Sequence, residues 1–124
     1  MMDQEKLHVT TETLPGGIGL VAASGYINNE GAQTIADAVE QLLAKNNNTL
    51  LVDLAGTKII NSIGISILLE ILEKLLDRGG RLAFCNLTPT IAKTFEIMGL
   101  AQYAGIHPDR DSALAALTTG HGTA

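Results

Sequence analysis

Leu50-Leu51-Val52-Asp53-Leu54, Gly56 and then Ile59-Ile60-Asn61-Ser62-Ile63-Gly64-Ile65 form the stretch on which the fold class turns. The first run is short and nearly continuously apolar, the pattern of a strand covered on both faces. After the interruption at Gly56, an apolar pair leads into Asn61-Ser62, and a helical period takes over from about Ile63 to Asp77. Ile67, Leu68, Ile71, Leu72, Leu75 and Leu76 form a broad apolar face there, opposed by Ser66, Glu70, Glu73, Lys74 and Asp77. The step from a doubly covered strand to an amphipathic helix is the signature of an α/β unit.

The same alternation extends in both directions. Upstream, Leu7 to Thr13 is rich in β-branched residues, Pro15-Gly16-Gly17 is a turn, and Ile18 to Ala23 completes a hairpin that ends at Gly25. Ile35, Ala36, Val39, Leu42 and Leu43 then mark a helix over residues 31–45, closed by Asn46-Asn47-Asn48. Downstream, Arg78-Gly79-Gly80 stops the long helix and Arg81 to Cys85 is a further strand. Thr88-Pro89 starts a helix that runs through Ile91, Phe95 and Met98 to Gly99. An extended stretch near Tyr103 to Ile106 and a helix from Asp111 to Thr118 follow. The expectation is one α/β domain over residues 7–118, with a mixed sheet of about four to five strands and about four helices packed against it. Residues 1–6 read as an N-terminal extension and 119–124 as a flexible tail.

Composition narrows the function. The chain has 124 residues, 46% hydrophobic and 17% charged, which suits a single globular domain. Eight Lys and Arg against 13 Asp and Glu give a net charge of −5, and the only aromatic residues are Tyr26, Phe84, Phe95 and Tyr103. Nucleic-acid binding needs clustered cations or exposed rings, so a protein partner fits better. The opening residues lack a basic region followed by an apolar core, so a cytoplasmic location is expected, with no membrane insertion.

The chemistry-bearing residues exclude most catalytic classes. His8, His107 and His121 are scattered, none stands at ligand spacing from Cys85, and neither HExxH nor CxxC occurs, so no metal is expected. Cys85, the single cysteine, sits in an apolar strand and reads as a small buried hydrophobe. No serine has a GxSxG setting, and the Gly16-Gly17-Ile18-Gly19 and Gly79-Gly80 clusters read as turns. No catalytic residue and no cofactor are expected. Ser62 stands apart. A hydroxyl at a helix start lies beside unpaired N–H groups and the positive end of the dipole, where a phosphoryl group is accommodated, so Ser62 is a candidate phosphorylation switch. The alternative is that Ser62 or Asn61 is simply the N-cap. The apolar positions of the long helix also spread wider than one core stripe requires, so part of its start could remain exposed to a partner.

The residues around Ser62 resemble the motif of the STAS domains, and in particular of bacterial anti-sigma factor antagonists: a strand ending in an apolar pair, then D-S-[ST]-G-[LI]-G at a helix start. Here that segment reads Asn61-Ser62-Ile63-Gly64-Ile65-Ser66. Gly25-Tyr26-Ile27-Asn28 is similar to the family's Gly-x-[LIV]-Asp. Leu50 to Leu54, Gly79 to Phe84 and Pro89 to Leu100 are similar to its later strands and helix. The resemblance implies a non-enzymatic module that binds an anti-sigma factor with serine kinase activity and is released by phosphorylation of Ser62, with a PP2C-type phosphatase as a second partner. It implies a partner surface at Gly25, Tyr26, Ile27, Asn28, Asn29, Asn61, Ser62, Ile63, Gly64, Ile65 and Ser66. Asn28 and Asn61 stand where the family carries acids, and Ile63 and Ser66 also depart from its pattern. The alternative within the same resemblance is an unphosphorylated adaptor or scaffold subunit of a stressosome-like or lipid-transport ABC assembly.

Overall fold

In the computed structural model, which describes residues 7–119, the apolar run is the central strand of a five-stranded sheet. Strands β1 (His8–Leu14), β2 (Ile18–Ser24), β3 (Thr49–Gly56), β4 (Arg81–Cys85) and β5 (Gly105–His107) lie side by side in chain order. β1 and β2 are an antiparallel hairpin, and β2 to β5 are parallel. The hairpin turn places Gly16 and Gly17 at φ of +89° and +80°, which glycine adopts without steric cost. Each parallel pair is joined through helix: α1 (Asn29–Ala44), α2 (Ser62–Asp77), then α3 (Pro89–Ile97) with α4 (Leu100–Tyr103). Helix α5 (Arg110–Thr119) closes the chain.

β3 is covered on both faces, as the unbroken apolar run implies. Leu50, Val52 and Leu54 belong to the larger core beneath α1, α2 and α3, where Phe84 and Phe95 meet edge to face at 4.9 Å. Leu51 faces the other way, into a smaller core of Ile18, Leu20, Ala83 and Cys85 closed by Ala113 and Leu117 of α5. Cys85 is fully buried, and burial pushes its thiol up to about 12, so it is inert in the folded chain.

Asn28, Asn61 and Thr88 cap α1, α2 and α3, each accepting the N–H three residues on. Capping moves the first two helix starts upstream of the apolar periods, to Asn29 and Ser62. The mixed sheet and its covering helices are as expected, with one further short turn, α4, beside the four longer helices. Gly99 at φ +90° breaks the chain after α3, and Leu100, wholly buried, anchors a single further turn. The extended segment therefore begins at Gly105 rather than near Tyr103.

Candidate functional site

The site begins with one backbone connection. Beyond the ends of β2 and β3, Ile27 and Ile60 form an isolated parallel bridge. The Ile27 N–H donates to the Ile59 carbonyl at 3.0 Å, and the Ile27 carbonyl accepts from the Asn61 N–H at 3.1 Å. The residues that follow, Asn28 and Asn61, are the caps of α1 and α2, so two helix N-termini stand abreast at one end of the sheet. Asn28 Oδ1 accepts from the Gly31 N–H and Asn61 Oδ1 from the Gly64 N–H, both at 2.8 Å. Both glycines are spatial necessities. A Cβ at Gly64 would lie 2.7 Å from the Ile27 carbonyl oxygen, and one at Gly31 the same distance from that of Tyr26.

This geometry resolves which residue caps α2. Asn61 does so, and Ser62 occupies the first helical position with its side chain exposed. Among the described residues the Ser62 hydroxyl has no hydrogen-bond partner, whereas Ser66 Oγ donates to the Ser62 carbonyl at 3.1 Å. The first turn of α2 carries no acidic side chain, so its unpaired N–H groups face no local carboxylate.

The residues expected at the partner surface divide by burial. Asn29, Ser62, Ile63 and Ser66 are exposed, while Gly25, Tyr26, Asn28 and Asn61 are half-buried. Ile27, Gly64 and Ile65 are buried and hold the others in place, so they cannot themselves meet a partner. Sequence reasoning missed Ile59, which is 54% exposed; with Ile63 at 53% it puts apolar surface beside Ser62. Ile59 reads in sequence only as half of an apolar pair, and in the structure it lies in the irregular segment between Gly56 and Ile60 with its side chain outward. From this edge a shallow groove runs between α1 and α2, with Gln33, Asp37, Ile67 and Glu70 along it and the exposed Glu40–Lys74 ion pair across it. Such an exposed pair adds little stability.

A second polar cluster lies on the opposite face. Asp53, in the C-terminal half of β3, accepts from Arg110 Nε at 2.7 Å, from Asn86 Nδ2 at 3.1 Å and from the Ala55 N–H at 2.9 Å. Burial alone would raise the Asp53 carboxyl, but these donors and the Arg110 charge together hold it below the ordinary carboxylate range. Among the described residues no group of three or more His, Cys, Asp or Glu is arranged to hold a metal ion, and no helix is long and apolar enough to cross a membrane.

A family model described as the STAS domain matches residues 10–113. The chain belongs to the STAS domain family. This STAS domain is similar to BtrV of Bordetella bronchiseptica, a protein named as an anti-sigma factor antagonist, with 25% identity over 103 residues that span 83% of this chain and 89% of BtrV. Its fold matches the crystal structure of an anti-sigma factor antagonist from Mycobacterium paratuberculosis with a TM-score of 0.81 at 24% identity, covering 95% of this chain and 99% of that one. It also matches the Bacillus cell fate determinant SpoIIAA in its phosphorylated form, with a TM-score of 0.69 at 16% identity over 87% of this chain and 97% of that one.

Proposed function

We propose that this STAS domain is an anti-sigma factor antagonist, a binding module and not an enzyme, whose partner is an anti-sigma factor with serine kinase activity. The docking surface is the edge where α1 and α2 begin: the exposed Asn29, Ile59, Ser62, Ile63 and Ser66 and the half-buried rim of Gly25, Tyr26, Asn28 and Asn61. The observation that carries this reading is the free hydroxyl of Ser62. Asn61 satisfies the helix cap, so the Ser62 side chain is left exposed, close in sequence to the exposed Ile59 and Ile63 and without a hydrogen-bond partner among the described residues. The unphosphorylated form presents an apolar surface to the partner. Phosphorylation brings roughly two negative charges into that surface and opposes docking, and a PP2C-type phosphatase reverses it. Sigma-factor-dependent transcription is then controlled in the cytoplasm through competition between proteins.

Phosphopeptide mass spectrometry on protein from its native cells, with binding of Ser62→Ala and Ser62→Asp to the captured partner, tests the switch. Ser62→Ala should bind like wild type and Ser62→Asp about tenfold or more weakly. Equal binding by Ser62→Asp would sink the phosphoswitch.

The neutral Asn28 and Asn61 favour a second reading, in which the domain is an unphosphorylated adaptor subunit of a stressosome-like or lipid-transport ABC assembly. A serine kinase or PP2C-type phosphatase encoded beside this chain supports the first reading, and an ABC permease supports the second.

A further inference from the structure

Helix α5 is attached to the sheet differently from α1 and α2. Those two bury long apolar stripes, Ala32 to Leu43 in α1 and Ile65 to Leu75 in α2. Among the described side chains of α5, only Ala113 and Leu117 are buried, with Leu114 and Ala116 half-buried. The helix is held instead at its two ends by arginines. At the start, Arg110 Nε donates to Asp53 Oδ2 at 2.7 Å; the carboxylate side chain is 7% exposed and the guanidinium 46%. Toward the end, Arg81 of β4 donates from Nη1 to the Leu117 carbonyl at 3.0 Å and from Nη2 to the Ala116 carbonyl at 3.4 Å, satisfying oxygens that the helix leaves unpaired. Beneath it lie Ile18, Leu20, Leu51, Ala83 and Cys85.

We propose that α5 is a clasp: it opens as a unit, pinned by Arg110 on Asp53 and by Arg81 on its last carbonyls, and uncovers the apolar sheet face while the α1–α2 side stays folded. Few buried apolar contacts and reliance on solvent-accessible polar ties are the marks of a segment with a low opening free energy. Its partner on β3 retains two donors, Asn86 and Ala55, after Arg110 leaves, so the Asp53 carboxylate is not stranded in the open state. The clasp is independent of the Ser62 switch and stands whether or not Ser62 is phosphorylated.

Cys85 is a built-in reporter, since it is the sole thiol and is covered on this face by α5. Its labelling by Ellman's reagent, measured in urea concentrations below the unfolding transition alongside amide hydrogen exchange, tests the clasp. The expected result is that Cys85 and the α5 amides share one opening equilibrium, at least about tenfold more frequent than that of the β3 amides and with a shallower urea dependence. Arg110→Ala should raise the Cys85 labelling rate about tenfold or more, and Arg81→Ala should also raise it. Lys74→Ala, on the other face, should leave it unchanged. If wild-type Cys85 is labelled only with the opening constant and urea slope of the β3 amides, the clasp is wrong. It is equally wrong if Arg110→Ala or the milder Arg110→Gln labels at the wild-type rate.

Discussion

The edge where α1 and α2 begin lies just past β2 and β3, and the cluster around Asp53 lies in the C-terminal half of β3 on the other face of the sheet, yet they spend their polar groups in opposite ways. At the helix edge two neutral amides satisfy the caps, and Ser62 is left with a free hydroxyl beside exposed apolar side chains. At Asp53 both carboxylate oxygens are engaged, by donors from β3, from the residue after β4 and from α5. A polar group left unengaged at the surface is available for chemistry, whereas one that ties three segments together is structural. The contrast teaches that position at the C-terminal ends of strands does not by itself mark a functional residue; the hydrogen-bond account of each side chain does.

Asp53→Asn should give the largest effect. The substituted amide would point a donor at Arg110 or give up an acceptor, at a cost of about 2–3 kcal/mol at neutral pH by urea denaturation. The folded carboxyl titrates below its unfolded value of about 3.9, so its contribution is complete above that value and is lost as pH falls through the folded one. Wild type should therefore lose stability on acidification more steeply than Asp53→Asn. Parallel acid profiles would remove the charge from the account of this cluster.

At the helix edge, Gly64→Ala forces a methyl against the Ile27 carbonyl at 2.7 Å. The overlap should outweigh the gain in helix propensity and cost about 1–2 kcal/mol in thermal or urea unfolding. A neutral or stabilising outcome would mean that the two N-termini are not locked together. The smallest effect should come from Asn61→Ala, which removes one cap for about 1 kcal/mol, while Asn61→Asp should retain fold stability because a carboxylate caps equally well. Should Asn61→Ala prove harmless, Ser62 would have to be taking over the cap, and the distinction between the two regions would narrow.

Much of this architecture was legible because it is periodic. The doubly covered β3, the hairpin and the apolar faces of α1 and α2 each repeat a spacing over several residues. α4 was not, since one turn carries no period, and its anchor Leu100 looks like any apolar residue after a glycine. The choice between Asn61 and Ser62 as cap was also invisible, because both residue types cap well and only the Ile27–Ile60 bridge selects one. Arg110 and Asp53 are far apart in sequence and meet only once β5 has returned the chain to the sheet, so no local pattern announces their pairing.

The Ile27–Ile60 bridge carries an evolutionary consequence. A residue inserted into Gly25-Tyr26 or into Thr57-Lys58-Ile59 would slide one cap past the other and turn the bridged side chains to the wrong face. Among descendants of this chain those two connections should keep their lengths while the solvent-facing turn at Pro15-Gly16-Gly17 grows and shrinks freely, so drift in loop length becomes a record of which ends of the sheet are under geometric constraint.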